Sequence, residues 1–422
     1  MLKSIKRLLK DRRGNALVMV GASIPLVVGA AGLATDTVQW VTWKRELQRA
    51  ADSAAYAGVM GKAWGAPTAD SAVTADLQKN TTTGITITTL TPAISYPPNT
   101  ASYSGAVKVT LSIQKKLGFS SMFLSASPTI TASGTAALVD DGWYCVVALE
   151  SGTDPGITIG GSASADLGCG AISDSIADSK SLSVDTNGNA YSFKATQIAG
   201  AGGLPDSIIG TPSNALQEHH LPMQDPFAGL YDTSIPGTTP CTSFNAHQTT
   251  VGSGSSKSYK MSPGCYNDFK ITGGETYNLD PGVYYMNGTD FEMSGSGALI
   301  GTDVTIILTG TKPGVIKTNG NANIQLTAPT GGSFANMLFI QSSTADIDNL
   351  NTINGNNNSI YDGVMYFPKG KTTFTGSSAA ITHCAMVVSK KVDFSGNSAL
   401  QNDPTGCKNY KKVPGKALRL VA

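Results

Sequence analysis

The stretch Ala16–Ala34, ALVMVGASIPLVVGAAGLA, is an uncharged apolar run that decides how the N-terminal part of this chain folds. A helix of its nineteen residues would be about 28 Å long, close to the thickness of the hydrocarbon core of a bilayer. Ser23 and Pro25 interrupt the run, but transmembrane helices tolerate both because neighbouring groups satisfy the freed carbonyl. The sequence therefore predicts a kinked transmembrane helix over residues 15–35.

A basic head, residues 1–14, precedes this run and predicts its orientation. Six Lys or Arg side chains in the head oppose one acid, Asp11. Positive charge beside an apolar span is retained on the cytoplasmic side. We therefore expect a single-pass protein of the inner, cytoplasmic membrane with a cytoplasmic N-terminus. The body beyond about residue 36 is expected to be periplasmic or extracellular.

Two kinds of processing remain open for the N-terminal segment. Gly32-Leu33-Ala34 is similar to the small-residue cleavage site of a secretory signal peptide, which would leave Thr35 first. The apolar core is longer than such a peptide usually has. Prepilin-type cleavage after Gly14 is the other option, although Met19 stands about where a glutamate would be wanted.

Residues 36–60 are predicted to form an amphipathic juxtamembrane helix. Small or apolar residues recur there at the spacing i, i+3, i+4, i+7, i+8 and i+11, which places them on one helical face. This face consists of Leu47, Ala50, Ala51, Ala54, Ala55 and Gly58. Small side chains permit close approach, so the face suits either the following domain or a partner helix. The opposite face is expected to be solvated, with Lys44, Arg45, Glu46, Arg49 and Asp52.

Two strings from this region carry a family resemblance. The string DRRGNALVMVGASIPLVVGAAGLATD at residues 11–36, followed by LQRAADSAAYAG at residues 47–58, resembles the N-terminal module of TadG-type Tad (tight adherence, or Flp) pilus-assembly proteins. The resemblance implies a pilus-assembly role, with the membrane and other Tad pilus or pseudopilin components as partners of the N-terminal helices. Some TadG-like proteins carry a von Willebrand type A domain with a metal-binding Asp-x-Ser-x-Ser string, which this sequence lacks.

The composition indicates an extracellular body rich in β-structure. Charged residues make up 14% of the 422 residues, there are 47 glycines, and hydrophobic residues reach 41%. An average soluble domain has about 25% charged residues and about 7% glycine. The net charge is +1, with the basic excess in the head, so nucleic-acid binding is not expected. No arginine lies between Arg49 and Arg419, which removes the usual bidentate clamp for carboxylates and phosphates.

The cysteines indicate disulfides. All six lie beyond the apolar run, and neighbours form couples separated by 24, 24 and 23 residues. The simplest of about fifteen connectivities is sequential, and each closed loop would stabilise the fold by about 3 kcal/mol. No Cys-x-x-Cys pair supports a zinc site. The predicted pairs are Cys145–Cys169, Cys241–Cys265 and Cys384–Cys407.

Residues 61–139 are predicted to form a small α+β domain. Apolar and polar residues alternate in three runs, 85–90, 107–113 and 129–139, which is typical of half-buried strands. A short helix is expected around Ser71–Lys79. The strands would pack against this helix and the juxtamembrane helix.

Residues 140–410 are predicted to form a right-handed parallel β-helix, followed by a tail over 411–422. Very short strands alternate with glycine and polar turns, and Phe374-Thr-Gly and Phe394-Ser-Gly lie 20 residues apart. Such a period favours a solenoid, with a β-sandwich as the alternative. The Gly/Pro-rich residues 201–240 would be an excursion from it. Six aromatic residues are expected inside the solenoid: Tyr284, Tyr285, Phe291, Tyr366, Phe367 and Phe394.

Three groups of polar residues are candidate sites, and a structural role is the favoured interpretation of each. Glu218-His219-His220 with Asp225 could bind a metal, but adjacent histidines on extended chain point to opposite sides. The Asp- and Asn-rich segment Asp346–Asn358 could ligate calcium, without the spacing of known calcium loops. Four carboxylates could serve a glycosidase, namely Asp280, Asp290, Glu292 and Asp303.

The sequence therefore predicts a non-enzymatic protein without catalytic residues, metal or cofactor. A membrane-anchored component of Tad/Flp pilus assembly, pilin-like or supporting adhesion as an envelope or surface protein, is the leading hypothesis. An extracellular carbohydrate-active β-helix enzyme and an autonomous adhesin are the alternatives.

Overall fold

The computed structural model describes most of the chain. The described residues are 13–63, 67–80, 85–87, 90–237, 240–254, 257–319, 321–356, 358–375, 379–382, 384–396, 399–402 and 413–421. These divide into two compact units, residues 1–140 with 417–422, and residues 141–416.

Among its described residues, the first unit contains the helices α1 (Arg13–Ala63) and α2 (Ala69–Lys79). The sequence predicted a separate transmembrane and juxtamembrane helix, but α1 continues through both segments and through Pro25. Nothing at residues 35–36 ends a helix, since neither glycine nor proline stands there. The predicted short helix is present as α2, where the Thr68 hydroxyl accepts a hydrogen bond from the Ser71 amide and caps the first turn.

Three antiparallel strands lie in the first unit between α2 and the solenoid, as far as the chain is described. Strand β1 (Ala93–Ser95) pairs with β2 (Ser104–Gln114), which pairs with the first part of β3 (Thr129–Ala148). A 3-10 turn, Ser120–Met122, lies in the β2–β3 connection. The strand predicted over 85–90 is wrong for its described residues, 85–87 and 90, which lie outside any strand, and the Leu90 amide bonds to the Ile87 carbonyl. The alternation there reflects burial of Ile85 and Ile87 without a strand.

The second unit is a solenoid of short parallel strands. After the second part of β3, its strands are β4 (Ile157–Gly160), β5 (Ser164–Asp166), β6 (Gly170–Ser173), β7 (Leu182–Asp185), β8 (Ser192–Lys194), β9 (Ile198–Gly200), β10 (Leu216–Gln217), β11 (Gln248–Val251), β12 (Ser258–Met261), β13 (Gly264–Tyr266), β14 (Lys270–Ile271), β15 (Thr276–Leu279), β16 (Gly282–Asn287), β17 (Phe291–Met293), β18 (Ala298–Gly301), β19 (Val304–Thr309), β20 (Ile316–Thr318), β21 (Asn323–Thr327), β22 (Met337–Gln341), β23 (Leu350–Ile353), β24 (Ile360–Phe374), β25 (Ala379–Thr382), β26 (Ala385–Phe394) and β27 (Ala399–Asn402). The last strand, β28 (Pro414–Leu420), leads back into the first unit.

These strands stack in long parallel ladders. One ladder runs β12, β15, β18, β21 and β24. A second runs β13, β16, β19, β22, β24, β26, β3, β6 and β9. A third runs β14, β17, β20, β23, β24, β26, β4 and β7, and a four-stranded sheet contains β25, β27, β5 and β8. This pairing is that of a parallel β-helix and not of an antiparallel β-sandwich.

The order of coils along the solenoid differs from their order in the sequence. Strand β26 pairs in parallel with β3 and with β4, and β27 pairs with β5. The coils built from residues 144–200 therefore stack on the C-terminal coils, not ahead of the coil that begins at Ser258. One coil is formed jointly by β27, β3 and β4.

The interior is filled by stacked apolar and aromatic side chains. Phe374 and Phe394 pair in register with ring centroids 5.3 Å apart, so the predicted spacing is one coil. Tyr284, Phe291, Phe367 and Phe394 are fully buried as predicted. The prediction is wrong for Tyr285 and Tyr366, which lie in a separate cluster on the outer side. Successive strand residues point to opposite faces, so neighbours of an inward-facing aromatic residue face outwards.

The excursion 201–240 covers that outer cluster, and we call it the strap. Its Met223 and Phe227 are buried among side chains from several coils, including Ile172, Ile340 and Met386. The hydroxyl of Tyr366 donates to Asp225 at 2.7 Å. Because the coils of residues 144–200 stack at one end, the strap returns the chain along the solenoid to β11.

Two disulfides are described, both with the predicted sequential pairing. Cys145–Cys169 joins neighbouring coils at β3 and β6, with Cα atoms 5.9 Å apart. Cys241–Cys265 attaches the end of the strap beside β13, with Cα atoms 4.4 Å apart. Cys384 is also disulfide-bonded, while its predicted partner Cys407 lies outside the described residues.

Candidate functional site

The N-terminal half of α1 is apolar and exposed. Met19, Leu26, Val27 and Leu33 are all more than half exposed. No part of the most apolar eighteen-residue window is buried, and the helix is long and apolar enough to cross a membrane. An exposed apolar surface of this size would be unfavourable in water. We refer to residues 15–35 as the span.

The C-terminal half of α1 is packed inside its own unit. All six residues of the predicted face are buried, and Ala51, Ala54 and Ala55 have no exposed surface. A Cβ added to Gly58 would lie 2.9 Å from a Val73 methyl and 3.0 Å from one of Val107. The face therefore packs on α2 and β2. The sequence left open whether this face packs on the following domain or on a partner helix, and in the structure it packs within its own unit.

The charged face of α1 is only partly solvated, which corrects the sequence-based expectation. Arg45 and Arg49 are exposed, but Lys44 donates to the Thr131 carbonyl. Asp52 is half-buried and accepts a bond from Gln48 at 2.8 Å. A Cβ added to Gly134 would lie 2.7 Å from the Asp52 amide nitrogen, so β3 crosses the helix here. The helical periodicity of α1 gives no indication that β3 packs against its charged face.

Asp36 is not among the candidate residues identified from the sequence, although it is buried, with 3% of its surface exposed. Its carboxylate accepts hydrogen bonds from the backbone amides of Phe119, at 2.9 Å, and Ser120. It therefore ties the β2–β3 connection to α1 at the end of the span. The signal in the sequence was an isolated carboxylate directly after the apolar run.

The histidine segment forms separate structural contacts. His220 is buried, with Nε2 3.2 Å from Asp141 and Nδ1 2.7 Å from the Leu221 carbonyl. The Glu218 carboxylate accepts a hydrogen bond from the Leu204 amide at 2.9 Å. Asp225, which lies in the strap, accepts a hydrogen bond from the Tyr366 hydroxyl of β24. Among the residues described, no three His, Cys, Asp or Glu side chains come together as a metal site.

The segment Asp346–Asn358 is committed to contacts within the solenoid. Asp348 lies 3.0 Å from Lys390 and 3.3 Å from Lys391. Burial raises the pKa of the Asp348 carboxyl, but hydrogen bonds and charge from the two lysines outweigh it and lower the pKa below its usual value. Asn351 is buried and accepts the Ile316 amide at 3.0 Å. Two ammonium groups thus neutralise Asp348, one of the two carboxylates in the segment.

Three of the four candidate carboxylates form ion pairs with lysines. Asp280 lies 3.2 Å from Lys260, Glu292 lies 2.9 Å from Lys270, and Asp290 pairs with Lys317. Each pair joins two neighbouring coils. Asp303 occupies a left-handed turn with φ of 55°. Exposed pairs of this kind contribute about 0–1 kcal/mol each.

Within the described part of the chain, one helix could span a membrane, and a β-solenoid that contains disulfides follows it in the sequence; this chain is therefore of the class that combines a possible membrane helix with a β-solenoid body. The family model Tad, described as putative Flp pilus-assembly TadE/G-like, matches residues 14–61. The resemblance seen in the N-terminal strings is confirmed for this segment, and the match supports a pilus-related role. No curated protein and no solved structure matches the chain significantly.

Proposed function

We propose that this protein is a membrane-anchored, non-enzymatic structural component of Tad/Flp-type pilus assembly. The observation that carries the proposal is the coincidence of the family match, residues 14–61, with α1. Within that match an exposed apolar span precedes a helix face buried in the unit's own core. The span is therefore the part of the module left available to the membrane and to other pilus or pseudopilin components.

The orientation belongs to the same proposal. The bases of residues 1–14 support a cytoplasmic head, with the disulfide-containing body periplasmic or extracellular. A reporter fused after Met60 that functions only outside the cytoplasm is expected to be active. Activity of a cytoplasm-only reporter at the same position would contradict this orientation.

The non-enzymatic part is supported by the occupied carboxylates and the absence of arginine from residues 50–418. Affinity-tagged full-length protein, extracted in detergent from cells that assemble the pilus, should copurify with Tad components. It should release no product from a panel of acidic polysaccharides. Turnover without copurifying pilus components would replace the proposal with the carbohydrate-active enzyme. If the protein neither copurifies with pilus components nor releases a product, an autonomous adhesin is favoured.

A further inference from the structure

The connection between β2 and β3 displays three consecutive large apolar side chains. Met122 is 76% exposed, Phe123 is 73% exposed and Leu124 is 54% exposed. They project from a short turn in which the Leu124 amide bonds to the Ser120 carbonyl at 2.9 Å. We call residues 117–127 the apolar loop. Single exposed apolar residues are ordinary, but a contiguous group marks an interaction surface.

The apolar loop is fixed to α1 where the span ends. Asp36 accepts the amides of Phe119 and Ser120. The Phe119 ring lies directly over Gly32, where an added Cβ would overlap it. Phe119 in turn lies 5.3 Å from the Phe123 ring, centroid to centroid. Since Gly32 belongs to the span and Asp36 follows it, the loop lies at the depth where the apolar run stops.

Strand β2 runs along α1 in the direction opposite to the helix, and β3 returns in the same direction as the helix. Val107 lies beside Gly58 and Gly134 beside Asp52, whereas Thr131 meets Lys44 nearer to the span. The β2–β3 connection therefore points towards the span. The opposite end of β2, with its turn 96–103, lies about 30 Å away, since each strand residue advances about 3.3 Å.

The surroundings of the loop have the chemistry of a membrane interface. Trp40 is 40% exposed on α1, and the Lys115 ammonium lies 4.6 Å from the centre of the Trp43 ring. Tryptophan and basic side chains are enriched where a bilayer meets water. Serines at 120, 121, 125 and 127 supply the rest of the loop surface.

We propose that the apolar loop is a second membrane contact, which inserts Met122, Phe123 and Leu124 into the lipid leaflet on the side of the body. The occupant of this surface is the acyl-chain and headgroup boundary of the same bilayer that α1 crosses. The inference rests on the membrane anchoring in the proposed function. Two contacts instead of one fix the tilt and rotation of the first unit relative to the membrane.

The test uses the full chain with its disulfides intact, reconstituted in phosphatidylcholine–phosphatidylglycerol liposomes whose acyl chains carry bromine. A polarity-sensitive fluorophore is attached to a single added cysteine. Phe123→Cys reports on the loop, Val27→Cys on the span, and Ala101→Cys on the exposed turn at the far end of β2. All three side chains are exposed, so labelling leaves the core intact.

The proposal predicts a blue-shifted emission and loss of most fluorescence through bromine quenching at positions 123 and 27, with neither effect at 101. Water-like emission at 123 with quenching at 27 would overturn the loop contact and leave the anchor standing. A blue shift at 123 without quenching would also overturn it, in favour of a protein partner. Water-like emission at 27 would instead refute the anchor, and with it both proposals.

Discussion

Ala54 lies at the centre of the buried face of α1 and has no exposed surface. Ala54→Leu is expected to destabilise the first unit by about 1–3 kcal/mol, because added methylenes have no space in a close-packed contact. Ala75→Leu makes the same change at an exposed position of α2 and is the matched control. Thermal unfolding of both variants in detergent measures the difference. Equal stabilities would show that the face is not a tight packing surface.

Asp174 gives a second prediction at the residue scale, and it concerns the strap. Its carboxylate accepts the Met223 amide at 2.7 Å. Burial raises the pKa of Asp174 to about 7; the Met223 hydrogen bond lowers it, and the charge of Asp225 raises it further. The unfolded carboxyl keeps a pKa of about 3.9. The folded state thus binds more protons between these values, and stability falls as pH rises through about 4 to 7.

The measurement for Asp174 is protease cleavage within the strap as a function of pH. Cleavage should increase from about pH 4 to about pH 7, because the docked state buries the charge of ionised Asp174 close to that of Asp225. Asp174→Asn keeps an acceptor oxygen and should remove most of this dependence. Asp178→Asn, at an exposed acid four residues later, should not. An unchanged pH profile in Asp174→Asn would assign the effect to another group.

The burial of individual residues could be predicted where the helical period of 3.6 residues alone determines it. Every residue that the helical spacing assigned to the α1 face is buried, but the spacing left out Val59, which is buried beside them. It failed for Asp52, because the approach of Gly134 comes from a strand more than 80 residues away. It also missed Asp36, whose role depends on the amides of Phe119 and Ser120. Long-range contacts of this kind leave no local pattern.

At the scale of elements, the solenoid could be predicted because each coil repeats an inward-facing apolar residue and a glycine turn. Phe374 and Phe394 show this directly, since they pair one coil apart. The stacking of β3 and β4 on β26 could not be predicted. It joins strands that lie more than 200 residues apart, and any coil edge with the same pattern would have served as well.

The strap follows from that stacking order. Once the coils of residues 144–200 occupy the far end, the chain must return along the outside to begin β11. Glycine and proline indicated an excursion over residues 201–240. They did not indicate that Met223 and Phe227 would cover an outer apolar surface that includes Tyr366.

At the scale of the whole molecule, the disulfides test the compartment of the body. Peptide mapping after non-reducing digestion should recover Cys145–Cys169 and Cys241–Cys265 as the structure has them, and Cys384–Cys407 as the spacing predicts. Protein from the native membrane should react with no thiol reagent until it is denatured and reduced. Six free thiols in that preparation would contradict an exported body, since disulfides persist in oxidising compartments.

The central claim is that the exposed span of α1 joins this protein to a pilus-assembly machine. The most direct measurement is photo-crosslinking in living cells from Val27, which is 65% exposed on the span. Arg49, exposed on the part of α1 that follows the span, is the matched position for comparison. The account predicts that mass spectrometry identifies Tad pilus or pseudopilin components among the products from Val27, with fewer from Arg49. Products from Val27 that contain lipid alone or unrelated proteins, in cells that assemble pili, would contradict it.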